Sequence, residues 1–204
     1  ITSVLASDYN VVAPEGDYIL RLHGDSSNYG SSTPKSYTKR VELGNRDWNT
    51  RAFPDRDVYI SASVYLPSDA WDQVTRYSTI MFQHKQYPGS DPNFELRLSN
   101  EGDYRLYVQS PYQHYGLSGD RHDDHPIATL SPNTWHTLKI HMVPSQDSSS
   151  GYINIYIDGT SVFEATGTNL NDRDDTDFSF FKMGMYTQIR DERTIFFDAV
   201  EMTD

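Results

Sequence analysis

The chain of 204 residues has no cysteine, which excludes disulfides, thiolate catalysis and cysteine-ligated zinc. It has no apolar run long enough to cross a bilayer. It has no internal repeat, no linker and no low-complexity segment, so residues 1–204 read as one domain. Basic residues are scarce, 17 against 29 acidic ones, for a formal charge of −12. That balance argues against nucleic acid as a partner and leaves room for an anionic ligand held by local cations. The first residues, Ile1-Thr2-Ser3-Val4, show neither the basic nor the apolar region of a signal peptide and suggest a trimmed, secreted form. Fifteen tyrosines and three tryptophans supply the amphipathic aromatic surface that sheets and sugar-binding faces both use.

Strand signals recur along the chain. Tyr18–Leu22, Tyr37–Leu43, Val58–Tyr65 and Ser78–Lys85 alternate apolar and polar residues. Phe94–Leu98 and Tyr104–Gln109 flank a hairpin turn at Asn100-Glu101-Gly102-Asp103. Thr137–Val143 and Tyr152–Asp158 form a second hairpin, and Asp158-Gly159 turns into Ser161–Ala165. The opening stretch and Thr194–Val200 complete the set, with one helical turn expected from Ser68. Around a dozen short strands with little helix predict an all-β fold, two antiparallel sheets stacked as a jelly roll.

The central stretch is Phe180–Gln188. As a strand it points Phe181, Met183 and Met185 one way and Lys182, Gly184 and Tyr186 the other. A cation and a phenol on one face, with a glycine between them, suit a ligand lying close to the backbone. The plainer alternative makes Lys182 a solvated lysine and Tyr186 an ordinary sheet tyrosine.

Three stretches taken together resemble the motif blocks of jelly-roll polysaccharide lyases: Lys39-Arg40-Val41-Glu42-Leu43, Phe82-Gln83-His84-Lys85 and Phe181–Gln188. The third is similar to the Y-F-K-x-G-x-Y-x-Q block of family 7 alginate lyases through Lys182, Gly184, Tyr186 and Gln188. Two positions depart from that family: Gly44 stands where its first block ends in Arg, and Lys85 stands at its histidine position, with His84 one place earlier. The departures tilt the resemblance toward the glucuronan lyases of family 20; heparinase I-type lyases share the general layout.

The resemblance implies β-elimination on a 4-linked polyuronate. The proton at C5 is weakly acidic until the adjacent carboxylate is neutralised, a task suited to Gln83 and Arg40. Tyr186 then protonates the departing O4, and Lys182 favours its phenolate if the same residue is also the base. Tyr186, Lys85 and His84 are the candidate bases, ahead of His114, His122, His125 and His141. Arg97, Arg105, Tyr107, Gln188 and Glu42 are candidates for substrate binding, although Arg97 and Arg105 could instead pair with Glu95 or Glu101. No cofactor is needed for this chemistry; a structural calcium that uses Asp198 is implied by resemblance alone. The implied partner is an anionic polysaccharide met by a monomer, with no nucleic acid and no membrane. The competing readings are a non-catalytic carbohydrate-binding sandwich, which needs no convergence of Lys182, Tyr186 and Gln83, and a glycosidase, which needs two carboxylic acids flanking the bond and for which no E-x-D-x-E strand is present.

Overall fold

The computed structural model describes residues 1–24, 39–43, 51–71, 78–87, 92–99, 101–109, 125–170, 178–187 and 193–203. In chain order the strands are β1 (Thr2–Leu5), β2 (Tyr18–Gly24), β3 (Lys39–Leu43), β4 (Arg51–Ala52), β5 (Val58–Tyr65), β6 (Thr79–Tyr87) and β7 (Pro92–Leu98). They continue with β8 (Arg105–Gln109), β9 (His125–Thr129), β10 (Trp135–Val143), β11 (Tyr152–Ile157), β12 (Thr160–Thr166), β13 (Phe178–Thr187) and β14 (Arg193–Thr203). Helix is confined, among the described residues, to a 3-10 turn at Ala6–Tyr9 and one α-turn at Ser68–Trp71.

Two antiparallel sheets result. The first runs β1-β2-β14-β5-β10-β11-β12 and the second β3-β13-β6-β7-β8-β9, with β4 also paired to β13. Alternation decides which residues meet between them. The first sheet contributes Leu22, Ile60, Val64, Ile140, Ile155 and Phe197, the second Phe82, Phe94, Leu96, Val108, Phe181 and Met185. These side chains are at most 4% exposed, and their burial is the main apolar driving force for stacking the sheets. A smaller cluster lies on the outer face of the first sheet. There Ala6 and Val11, from the segment after β1, pack on Ile19 and Phe196.

Turn chemistry fixes the register of the hairpins. Ile157 pairs with Thr160, leaving Asp158 and Gly159 as the loop, with φ of 51° and 79°. Positive φ at both positions is the type I′ geometry whose twist matches the flanking strands. Between β10 and β11 the chain packs so tightly that a Cβ on Gly151 would lie 1.9 Å from the Gly167 carbonyl oxygen. Two strands carry no signal in the sequence. β4 is two residues long, and β9 contains Pro126 on the edge of its sheet, where a missing N–H is tolerated.

Candidate active site on the outer face of the second sheet

β13 is flanked by β3 and β6, and its core residues Phe181, Met183 and Met185 leave Lys182 and Tyr186 on the opposite face. The registers define two rows across this face. In one, Lys182 stands opposite Gln83, Gln83 opposite Glu95, and Glu95 opposite Gln109. In the other, Arg40 stands opposite Tyr186, Tyr186 opposite Ile80, Ile80 opposite Arg97, and Arg97 opposite Tyr107. Opposed Cα atoms lie about 5 Å apart, and the two rows stand four residues apart on β13, three on β6 and two on β7.

The first row is polar and buried: Gln83, Glu95 and Gln109 are each 2% exposed. Glu95 is its hub. One carboxylate oxygen accepts a hydrogen bond from Gln83 Nε2 at 2.8 Å, the other accepts from Arg97 Nε at 2.8 Å and also pairs with Arg97 Nη2. Arg97 Nη1 donates in turn to Ser78 Oγ at 3.2 Å. A carboxylate offers only acceptors, so the Gln83 amide must turn its NH2 toward Glu95. Gln83 Oε1 is then buried with no hydrogen-bond partner among the described residues. The sequence pointed to Glu95 only as a pairing partner for Arg97; its hold on Gln83 comes from the fold.

Gly184 has a backbone reason of its own. The register between β13 and β6 shifts between Met183 and Tyr186, and Gly184 adopts φ of 151° at that bulge. Side chains disfavour such a conformation, so the glycine is required by the strand whether or not a ligand approaches. The bulge also sets Tyr186 beside Ile80, three residues from Gln83 on β6.

Several candidates from the sequence are corrected by their surroundings. His84 is not on this face. It is 0% exposed on the core side of β6, its ring stacked on Phe181 at 4.9 Å, which removes it as a base. His141 lies on the first sheet, 2.6 Å from Asp57 and stacked on Tyr59 at 4.3 Å. His125 is on β9 opposite Val108. Arg105 stands at the β7–β8 turn, where Asp103 and Glu101 take its guanidinium and the Tyr107 ring lies 5.5 Å beneath it. Tyr107 is 8% exposed and turns its hydroxyl to Ser99 at 3.4 Å. Lys85, half-buried, shares the face with Gln83. Glu42 stands opposite Gly184. Gln188, His114 and His122 lie outside the described residues.

The resemblance implies a structural calcium at Asp198. The carboxylate accepts from the Glu15 and Ala199 backbone amides, each at 2.9 Å. Among the described residues no group of three or more His, Asp or Glu stands close enough together to hold a metal ion, whereas calcium takes six to eight oxygens.

None of the curated proteins matches this sequence. Solved structures do match. An endo-β-1,4-glucuronan lyase from the fungus Trichoderma reesei superposes with TM-score 0.68 at 20% identity, over 98% of this chain and 86% of that one. An alginate lyase from Zobellia galactanivorans gives 0.61 at 16%, over 91% and 79%, and one from Pseudomonas aeruginosa 0.61 at 15%, over 93% and 86%. These likenesses establish the jelly-roll fold. The family described as polysaccharide lyase matches residues 6–201, nearly the whole chain, with both rows of the outer face inside the match. The chain belongs to the polysaccharide lyase family.

Proposed function

We propose that this protein cleaves a 4-linked polyuronate by β-elimination, with glucuronan as the favoured substrate. The observation that carries the reading is the register that sets Lys182 opposite Gln83 and Tyr186 opposite Arg40 on the outer face of one sheet. A phenol, two cations and an amide are the groups an elimination at a uronate needs. The glucuronan lyase that superposes on this chain acts on such a polymer, and the alginate lyases act on a related one.

In this reading the substrate lies across β13 and β6. The Gln83 amide, held by Glu95, carries a second N–H for the carboxylate of the sugar being cleaved, and Arg40 supplies charge to the same group. Neutralising that carboxylate lets the C5 proton leave, because the electron pair can spread into the carboxyl group as an enolate-like species. Hydrogen bonds from fixed donors strengthen as that charge grows, so they favour the transition state over the bound substrate. Tyr186 gives its proton to the departing O4. With His84 in the core, the base among the described residues is either Tyr186 itself, when the C5 proton and O4 lie on the same side of the ring, or Lys85. A phenol that takes one proton and returns it to the leaving group balances the reaction with no cofactor. The polymer breaks into one chain with a new reducing end and one with a C4–C5 double bond.

Glucuronan is preferred over alginate because the histidine position of family 7 is Lys85 here, and the neighbouring His84 is buried against Phe181. The test is a panel of glucuronan, alginate and an uncharged β-1,4-glucan, followed by the ultraviolet absorbance of the conjugated double bond. Absorbance with glucuronan and none with the uncharged glucan is expected. Binding of a polyuronate with no absorbance on any of them would replace the lyase by a binding module.

A further inference from the structure

The outer face of the first sheet, on the far side of the core from Tyr186, carries a recess of about 590 Å³. Phe196 and Tyr65 lie edge to face in it, with centroids 6.0 Å apart. Tyr9, from the 3-10 turn after β1, and Asp69, from the helical turn after β5, also line it. Arg21 and His23 flank the core residue Leu22 on β2 and therefore stand on this face. Arg21 is opposite Phe196, and His23 is opposite Thr194, whose hydroxyl lies 2.8 Å from His23 Nδ1.

Both walls are fastened to the sheet. Tyr9 packs on Phe196 at 5.1 Å, and Trp135 Nε1 donates to the Val12 carbonyl at 2.7 Å. Across the recess, the Ser68 amide donates to Asn133 Oδ1 at 3.0 Å, and Asn133 Nδ2 donates to Ser68 Oγ at 2.9 Å. The recess is thus pre-formed, and its volume falls within the range of small-molecule sites, about 300–1,000 Å³.

Arg21 is the group this architecture leaves unexplained. In a protein with 29 acidic residues, Arg97 and Arg105 both carry ion pairs. Arg21 has no carboxylate at ion-pair distance among the described residues, and its Nε is buried without a hydrogen-bond partner among them. Its guanidinium lies 5.4 Å from the centroid of the Tyr9 ring. Stacking of that kind holds the planar fork in one orientation, ready for a planar anion. Around it stand aromatic bodies for the apolar face of a sugar ring, and His23, Asn133 and Asp69 for its hydroxyls. Asp69, the one carboxylate among the described lining residues, is on the wall formed after β5 and can accept from hydroxyl groups there.

We propose that this recess is a second saccharide-binding site that holds an acidic sugar unit, with the sugar carboxylate on Arg21. The identity of that sugar as a uronate of the polymer rests on the function proposed above; the place of the site does not. A site on the opposite sheet would tether a long chain while another part of it, or another chain, is cleaved beside Tyr186.

The experiment is calorimetric titration of the Tyr186→Phe chain with a β-1,4-linked glucuronate tetramer, beside the Tyr186→Phe/Arg21→Gln chain. Two equivalents in the first and one in the second are expected, since loss of a charge-assisted pair should weaken the second site by about tenfold or more. Equal stoichiometry in both, or no binding in either, overturns the proposal. One equivalent that disappears with Arg21→Gln keeps the second site and instead removes polyuronate binding beside Tyr186, so the two failures differ. Equal binding of the uncharged cello-tetraose at the Arg21-dependent site overturns the acidic-sugar assignment. Should Arg21→Gln unfold, Arg21→Lys keeps the charge without the fork and should still bind several-fold more weakly; unchanged affinity in that variant refutes bidentate recognition. In the otherwise native enzyme, Arg21→Gln should leave kcat on the tetramer unchanged and raise KM on the polymer.

Discussion

Replacing Glu95 by Gln tests whether the buried row holds the Gln83 amide in place for the proposed reaction. The carboxylate is 2% exposed and receives Gln83 on one oxygen and Arg97 on the other. In Glu95→Gln the new NH2 must face one of two donors. If it faces Arg97, two sets of N–H groups oppose each other; if it faces Gln83, the Gln83 amide has to turn over and present its oxygen. Breaking a buried charged pair costs about 3–5 kcal/mol, but the Arg97 side chain is 25% exposed and partly rehydrates. The isosteric amide also keeps one acceptor, so about 2–3 kcal/mol is expected, or roughly 5–10 °C in Tm for a chain of this size. The kinetic effect should exceed this loss of stability. At temperatures where the variant is fully folded, kcat should fall at least about tenfold, because a turned amide no longer directs its donors at the substrate carboxylate. Thermal denaturation and initial rates from double-bond absorbance give both numbers. Glu95→Asp, which keeps the charge on a shorter stem, should recover part of the rate. A folded Glu95→Gln protein with native Tm and native kcat would refute the reasoning.

Other outcomes follow from the same geometry. His84→Leu, an apolar replacement in the core, should fold and keep kcat within about threefold, as measured by initial rates; loss of activity in a folded variant would return His84 to the mechanism. Gly184→Ala should lower stability in urea unfolding by about 1–3 kcal/mol, because alanine resists the φ of 151° at the bulge. Burial raises the Asp158 carboxyl, but the His136 ring and the Thr137 amide outweigh it and hold the group below its ordinary value. For Asp103, burial is likewise outweighed by Ser99 and Arg105. Groups with depressed folded-state values stabilise the protein above the unfolded carboxylate range, about pH 4, and this stability is lost as pH falls through the folded values. A pH series of Tm should therefore drop below about pH 4, and Asp158→Asn should flatten part of that limb.

Much of the fold was legible because strand alternation and turn chemistry are local. Asp158-Gly159 announces its turn, and Phe181, Met183 and Met185 announce their face. Alternation likewise puts Gln83 and Lys85 on one face of their strand and His84 on the other. What stayed hidden depends on long-range pairing. The motif glycine gives no hint that Gly184 sits in a bulge, since that needs the register of β6 against β13. The pairing of Arg105 with Glu101 was one of the alternatives the sequence offered, but the contacts of Asp103 with Arg105 and of Ser99 with Tyr107 needed the β7–β8 turn. The sequence of β9 argues against a strand at Pro126, and only an edge position makes it possible. The recess at Arg21 draws on residues far apart in the chain, from Tyr9 to Phe196, and no single stretch marks it.

The central claim is that Tyr186 delivers the proton to the leaving oxygen. Tyr186→Phe retains the ring beside Ile80 and removes only the hydroxyl, so folding should be preserved. General acid catalysis contributes about 10²–10⁴-fold, and kcat on glucuronan, followed by double-bond absorbance, should fall by at least that order while the substrate still binds. A folded Tyr186→Phe protein that cleaves glucuronan at the native rate would contradict the account and move the acid to another residue.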